Sequence, residues 1–286
     1  MADSLIRFPV APNLPLAPGA WDARYQEQFN NVLRLYFNQL SAVLQQIGGS
    51  QGGSNISFPY GAFHQDGTTT LSTGITNVST TPISVASTDG FPSSGWILID
   101  NEVIQYTTKT ATTFDGTITR CVFGTSSAAH TAGASVSEVQ GTGSPTTIGV
   151  MQFNYTDFSN GVYTDTLDNT KIVFDKAGIY NIQFSAQLMN FTTSDDSVTI
   201  WLAQNGTDVA VTAGVEEVNA KHGTSPGARI AAWNYLIQVA ANDYIAMRWT
   251  SDTGNSIVAT YPATTSPAHP ASPAVILTAT FVSALY

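Results

Sequence analysis

The sequence predicts a mainly β protein in which an N-terminal amphipathic helix precedes a small antiparallel β module and a C-terminal jelly-roll sandwich. Two observations indicate this class. Residues 21–47 carry the one convincing helical pattern, and the chain after them alternates short apolar runs with Thr, Ser and Gly turns. We therefore divide the chain into an extended arm with an anchoring helix (1–50), a linker (51–74), a stalk or spacer module (75–140) and a head (148–286).

The first 50 residues form the predicted anchor. Four prolines, Pro9, Pro12, Pro15 and Pro18, keep the arm extended because each ring fixes φ and removes an amide donor. In the following helix, apolar residues recur at intervals of three and four and cover an arc wider than a coiled-coil seam. We assign docking and oligomerisation to residues of this arc: Trp21, Tyr25, Phe29, Val32, Leu33, Tyr36, Phe37 and Leu40.

So broad an apolar helix face must be buried against another protein surface to be shielded from water. The sequence leaves three sources open, namely the β body of the same chain, copies of the helix, and a partner protein. We favour burial in an assembly because GGSQGGS at 48–54 has the composition of a flexible joint. Gly48 and Gly49 are expected to end the helix.

Residues 75–140 read as a small antiparallel module of about five strands. Apolar runs such as 96–99 and 103–106 are separated by the turn sequences Asp89-Gly90 and Asp115-Gly116. We expect this module to separate the anchor from the head.

Residues 148–286 are predicted to form a β-sandwich, because the sequence contains at least eight strand patterns there and no helical pattern. In segment 180–188, apolar and polar residues alternate strictly, which predicts one buried face and one face that is solvated or partnered. Asn205-Gly206 predicts a hairpin turn. The predicted core includes residues from this segment and from the closing strand: Tyr180, Ile182, Phe184, Leu188, Leu277 and Phe281.

Composition excludes several function classes. Only 10% of residues are charged and the net charge is −10, so an acidic chain without basic clusters is a poor binder of nucleic acid. No apolar stretch is long enough for membrane insertion. Cys121 is the single cysteine, which rules out an intrachain disulfide and a cysteine-based metal cluster.

The sequence also predicts no enzyme, no cofactor and no metal site. The four histidines are dispersed without ligand spacing. Asp252-Thr-Gly254 matches the aspartic-protease signature, but that chemistry needs two carboxylates sharing a proton, so we interpret this copy as a hairpin turn. The oxygen-rich stretch 157–169 leaves two readings open, solvated turns and a Ca²⁺ site.

Four aromatic residues of the head also have two interpretations: Trp233, Tyr235, Trp249 and Tyr261. Exposed on loops, they would stack on sugar rings. Buried, they would fill the sandwich core, which is the interpretation we favour.

Residues 90–136 resemble a small module that recurs in phage structural proteins. The shared pattern comprises a Phe-Pro-x-x-Gly turn, an Ile-Asp-x-Glu-x-Ile-x-Tyr hairpin and a Thr-Arg-Gly-x-x-Gly-Thr-x-x-x-x-His ending. The ending corresponds here to Thr119, Arg120, Cys121, Gly124, Thr125 and His130, with Cys121 in place of the first glycine. Residues 1–47 also resemble the leading segment of some cyanophage-type virion proteins.

The C-terminal region resembles the C1q/TNF-like jelly roll. The resemblance lies in Ile172–Phe174, Lys176–Tyr180, Val198–Leu202 with the following Asn-Gly, and the closing strand 275–282. It implies a trimer in which one sheet of each jelly roll faces the threefold axis. That sheet face would include Asn181, Gln183, Ser185 and Gln187.

These resemblances imply a structural protein located in the virion of a bacteriophage. We expect an oligomeric, trimeric tail fibre, spike or capsid decoration that is anchored by its N-terminus and displays its β head for host attachment. Its expected partners are copies of itself, other virion proteins of capsid or tail, and a host-surface glycan. The alternative is a soluble, lectin-like carbohydrate-binding protein.

Overall fold

The computed structural model describes residues 9–48 and 58–284. The chain divides into two compact units, residues 1–58 and 59–286. Strands contain 48% of the residues and helices 9%, which confirms the predicted mainly β class with an N-terminal helix and antiparallel sheets. Within the two described ranges, no helix combines the length and the apolar character of a bilayer-spanning segment.

The first unit contains helix α1, Ala23–Gly48. Asp22 caps its start, because the carboxylate Oδ1 accepts a hydrogen bond from the backbone amide of Arg24 at 2.8 Å. The Tyr25 hydroxyl donates to the carbonyl of Pro15 at 3.2 Å, so the proline arm contacts the first turn. The helix ends at Gly48, as predicted. The predicted joint lies almost entirely in 49–57, outside the described residues.

The second unit is built from strands. The earlier ones are β1 (Tyr60–Gln65), β2 (Thr68–Thr70), β3 (Ile83–Ser84), β4 (Gly95–Ile99), β5 (Glu102–Tyr106), β6 (Thr108–Lys109), β7 (Thr113–Asp115), β8 (Thr119–Val122) and β9 (Ser135–Gly141). The later ones are β10 (Gly149–Val150), β11 (Tyr155–Asn160), β12 (Val162–Thr164), β13 (Ile172–Phe174), β14 (Gly178–Asn190), β15 (Asp196–Gln204), β16 (Thr207–Asp208), β17 (Gly214–Val218), β18 (Gly227–Val239), β19 (Tyr244–Ser251), β20 (Ile257–Ala259), β21 (Thr264–Thr265), β22 (Ala268–His269) and β23 (Val275–Ser283).

Two antiparallel sheets form a sandwich. The first has the strand order β11-β1-β23-β14-β20-β9-β4-β5-β8, with β18 also paired to β14 and β2 to β9. The second has the order β12-β13-β19-β15-β16, with β10 paired to β19 and β17 to β15. Both sheets contribute fully buried side chains to one core, such as Ile182 from β14 and Ile200 from β15.

The small module has a core of its own, and the structure corrects the prediction that it is separate from the head. Strands β3, β7 and β6 form a small sheet over this core, which includes Phe114 and Ile104. Strand β9 of the module pairs with β20 of the sandwich. A third cluster, with Val103 on one side and Phe191 on the other, joins the two regions. Module and head therefore belong to one compact unit.

The predicted linker 51–74 is wrong from residue 60 onward. Strand β1 pairs with β11 and with β23, and the side chain of Phe63 is fully buried in the sandwich core. Because β1 is short and carries polar His64 and Gln65, its alternation is too weak to distinguish it from a linker by pattern alone.

Candidate functional site

Strands β14, β18 and β23 form a regular outer face on the first sheet. Strand β14 lies between β18 and β23, with Tyr180 opposite Ile237 on one side and Phe281 on the other. Since side chains alternate along each strand, one set enters the core and the next set points outward. The long β14 and β18 remain paired over their full length, so this outer face is continuous.

Whereas β1 and β11 of the first sheet carry the ion pair of His64 and Asp157, its outer face over β14, β18 and β23 has no charged side chain. It carries amide, hydroxyl and apolar groups: Asn181, Gln183, Ser185 and Gln187 from β14, Ala228, Ile230, Ala232, Asn234, Leu236 and Gln238 from β18, and Ile276, Thr278, Thr280 and Val282 from β23. Two of its apolar side chains are mostly exposed, Leu236 at 69% and Ile230 at 58%. We call these fourteen residues the uncharged face.

The opposite side of the sandwich is different. The outer face of the second sheet carries Glu217, and Arg248 forms an ion pair with Asp208 at 2.8 Å. The indole of Trp201 donates to the same carboxylate at 2.7 Å. The fourteen positions of the uncharged face thus carry no charge, although the whole chain has a net charge of −10. Depletion of charged residues is the compositional signature of a protein–protein interface.

The polar part of the uncharged face was predicted from the alternation in 180–188. Its apolar part was not, because Leu236 and Ile230 join Asn181 and Gln187 only through the register between β14 and β18. That register depends on pairing between strands that are about 50 residues apart in sequence, which no local pattern contains.

The predicted docking residues of the helix are all at least partly exposed in the structure. Trp21 precedes α1 and is 83% exposed, and Phe37 is 58% exposed. The other six are half-buried: Tyr25, Phe29, Val32, Leu33, Tyr36 and Leu40. Tyr25 and Phe29 stack with ring centroids 6.1 Å apart. The helix therefore presents apolar side chains at its surface.

The predicted head core is found where expected. Tyr180, Ile182, Leu188 and Leu277 are fully buried and Phe184 is 5% exposed. Phe281 is partly buried and packs against this cluster.

The motif of the small module brings four distant charged residues together. Asp100 lies in the turn between β4 and β5, Glu102 begins β5, Arg120 lies in β8 and His130 follows the next loop. Arg120 forms a bidentate pair with Glu102, with both nitrogen–oxygen distances at 2.6 Å. His130 places Nδ1 2.7 Å from Asp100 and Nε2 2.9 Å from Glu102. We call these residues the charge cluster.

Arg120 uses its whole guanidinium group. Besides the two bonds to Glu102, it donates to the carbonyls of Thr76, Ser79 and Ala128, so five donors make five hydrogen bonds. The side chains of Arg120 and Glu102 are only 8% and 1% exposed. The cluster therefore fastens two loops, 71–82 and 123–134, to the β4–β5 hairpin, which explains the module motif as a structural device.

The charge cluster also makes the stability of the fold depend on pH in the acid range. Burial by itself raises the pKa of Glu102, but hydrogen bonds from Arg120, the Ala128 amide and His130 outweigh burial and hold the pKa below its ordinary value of 4.5. Because the folded state binds this proton more weakly than the unfolded state, the stabilisation is present above pH 4.5 and is lost as the pH falls through the folded pKa.

Cys121 occupies a backbone position that favours glycine. Its φ is +61°, in the left-handed region that glycine adopts without strain. We expect Cys121→Gly to leave the free energy of unfolding within about 1 kcal/mol of the parent, and Cys121→Val to lower it by about 1–2 kcal/mol. Urea denaturation of both variants measures this, with Thr119→Val on the same strand as the control. A loss in Cys121→Val no larger than in Thr119→Val would contradict the strain argument.

The remaining candidates from the sequence have structural roles. Trp249 is 1% exposed, and Trp233 and Tyr235 pack against the core, so these three do not form an exposed sugar platform. Tyr261 is half-buried beside the module. The Asp252-Thr-Gly254 sequence lies in the turn between β19 and β20, where the Thr253 amide donates to buried Asp196 at 2.9 Å.

The carboxylates of 157–169 also have partners. Asp157 pairs with His64 at 3.0 Å, Asp165 accepts from the amides of Leu167 and Asp168, and Asp168 pairs with Lys171 at 3.0 Å. Of the three remaining histidines, His130 belongs to the charge cluster, His222 forms an isolated bridge with Ser225, and His269 lies in β22. In residues 9–48 and 58–284, no group of three or more His, Cys, Asp or Glu side chains is arranged to hold a metal ion.

Comparison with protein-family models gave no match, and comparison with curated proteins gave no significant match.

Proposed function

We propose that this chain is a structural protein of a bacteriophage virion, and that it forms an oligomeric appendage, a fibre, spike or capsid decoration. Three copies assemble through the uncharged face, and the N-terminal arm and helix dock into capsid or tail proteins. The β unit is displayed for host attachment. The observation that carries this proposal is the uncharged face on an otherwise acidic protein.

Physical arguments support assembly through this face. The chain is acidic, so two copies repel each other wherever charged surfaces meet, and the repulsion is least where charges are missing. The amides and hydroxyls of β14 and β23 supply hydrogen bonds across an interface, and Leu236 and Ile230 supply apolar area. The C1q/TNF-like resemblance of the head implies threefold symmetry for the same sheet.

The helix supports a role in anchoring. Leu35, Phe37 and Leu44 are each more than half exposed, at 60%, 58% and 55%. Exposed large apolar groups along a helix are the usual contact surface for a partner groove or for copies of the same helix. The module motif, whose residues form the charge cluster, supports the phage origin through its resemblance.

The interface is tested in the full chain. Leu236→Glu is expected to lower the solution mass from trimer to monomer, because it places a buried, unpaired charge at each of three symmetry-related contacts. Sedimentation equilibrium measures the mass. Val215→Glu is the matched control, since Val215 is also an exposed strand residue, at 65%, but lies on the second sheet. Equal masses for the two variants would contradict assembly through the uncharged face.

The location in the virion needs a separate test. An antibody raised against residues 148–286, bound to purified particles of the phage that encodes this chain, is expected to label them in electron micrographs. Label found only in the particle-free fraction would contradict the proposal and favour the soluble lectin-like alternative.

A further inference from the structure

A group of buried polar residues lies at the junction of the module and the sandwich. Glu138 of β9 is 2% exposed and Gln65 at the end of β1 is 0% exposed. The backbone amide of Glu138 donates to the carbonyl of Gly67 at 2.7 Å, which holds β9 beside the segment after β1. Farther along the same edge of β9, Val139 pairs with Ala259, so the next residue of that segment, Thr260, lies beside Glu138.

Asn154 connects the two acidic residues of this group. Its Oδ1 accepts a hydrogen bond from the backbone amide of Asp66 at 3.1 Å. Its Nδ2 donates to Glu138 Oε2 at 3.2 Å. The side-chain amide of Asn154 therefore lies between Asp66 and Glu138. We call the five residues of this group the junction site: Gln65, Asp66, Glu138, Asn154 and Thr260.

Several polar atoms of the junction site are buried without a hydrogen-bond partner. They include both Gln65 side-chain atoms, Oδ1 of Asp66 and Oγ1 of Thr260. Gln65 lies close enough to the Glu138 carboxylate to lower its pKa through a loose polar contact, but neither Gln65 side-chain atom has a hydrogen-bond partner at normal distance and angle. Buried polar atoms without a partner cost free energy, and three of these four atoms are oxygens, so a ligand that binds oxygen atoms would satisfy most of the site.

The charge of the site is also unbalanced. Among the ion pairs of the described residues, none involves Asp66 or Glu138. The Lys109 ammonium group donates to the carbonyl of Thr88, and His64 is paired with Asp157. The pKa values of two nearby tyrosines are raised. For Tyr155 the causes are burial and then the negative charges of Asp66, Asp89 and Glu138. For Tyr106 they are burial and then the charge of Glu138.

A cavity adjoins this site at Glu138 and Asn154. It has a volume of about 520 Å³, and its lining includes Glu138, Asn154, Asp165 and Asn169. Two of these are acidic, so the cavity attracts cations and repels anions.

We propose that the junction site binds one Ca²⁺ ion through oxygen atoms of Glu138, Asp66, Gln65 and Thr260. Calcium accepts carboxylate, amide and hydroxyl oxygens in flexible geometry and retains water at its remaining positions. Two carboxylates and two neutral oxygens fit this preference, and the absence of sulfur and imidazole donors among the four argues against zinc. The ion would join β1, β9 and the end of β20, and so the sandwich to the module.

The protonation of Glu138 gives the proposal a pH signature. Burial raises the pKa of Glu138 to about 7, with smaller opposing effects from Gln65 and Lys109. Burial raises that of Asp66 too, against the opposing effects of His64 and Thr260. A proton and Ca²⁺ compete for the same carboxylate, so the affinity is expected to fall by about tenfold between pH 8 and pH 6.

Isothermal titration calorimetry of the full chain with CaCl₂ at pH 8 tests the proposal. We expect one ion per chain, with a dissociation constant of about 10⁻³ M or lower. Glu138→Gln is expected to weaken binding at least tenfold, and Asp66→Asn provides a second test should the first variant not fold. Glu217→Gln, which neutralises an exposed carboxylate on the second sheet, is expected to bind like the parent.

Three results would overturn this inference. They are no saturable binding by the parent up to about 10 mM Ca²⁺, undiminished binding in Glu138→Gln or Asp66→Asn, and an affinity that is the same at pH 6 and pH 8. The test does not depend on the oligomeric state, so the inference and the proposed function fail or succeed separately.

Discussion

Arg120→Met is expected to lower the free energy of unfolding by about 3–5 kcal/mol, because it leaves the carboxylate of Glu102 buried without its counter-charge. The variant also removes the donors to the carbonyls of Thr76, Ser79 and Ala128. Methionine retains most of the volume, so the loss reports the charge and the hydrogen bonds rather than a cavity. Urea denaturation of both proteins at pH 7 measures the difference.

Arg248→Met is the control for this prediction. Its ion pair with Asp208 lies on the surface, with side chains 26% and 55% exposed, and is expected to contribute about 1 kcal/mol or less. If the Arg120 variant lost no more stability than the Arg248 variant, the charge cluster would not hold the module together.

Tyr180→Ala is expected to lower the free energy of unfolding by about 3–5 kcal/mol. The ring is fully buried between Phe174 and Phe281, with centroids 4.7 and 5.4 Å away, so its removal leaves a cavity in the sandwich core. The hydroxyl also donates to the carbonyl of Lys176 at 2.9 Å. Thermal or urea denaturation of the full chain measures the loss.

Two variants separate the parts of this effect. Tyr180→Phe retains the ring and is expected to cost about 1 kcal/mol, the value of one hydrogen bond. Tyr163→Ala removes a ring that is 37% exposed on β12 and is expected to cost less than 1 kcal/mol. A loss in Tyr180→Ala similar to that in Tyr163→Ala would mean that Tyr180 does not support the core.

Local patterns predicted the elements whose signal is local. The alternation in 180–188 predicted the buried side of β14. The Asn205-Gly206 turn joins β15 to β16 as expected, and both residues have positive φ. The helix ends at Gly48, where the sequence changes from apolar to glycine-rich.

The charge cluster, the junction site and the joining of module and head depend on contacts between residues that are distant in sequence, which local patterns do not predict. The charge cluster combines Asp100 and Glu102 with residues 18 and 28 positions after Glu102, and only the fold brings them together. The junction site escaped the sequence analysis for the same reason, since Gln65 and Glu138 have no unusual local pattern. The division into module and head was wrong because the short strand β20 gives no sign of its pairing with β9.

The mass of the unmodified chain in dilute solution tests the central claim, which is that the uncharged face is an interface between copies. Sedimentation equilibrium is expected to give three times the chain mass of 30.3 kDa. A single species at 30.3 kDa over the whole measurable concentration range would contradict the claim.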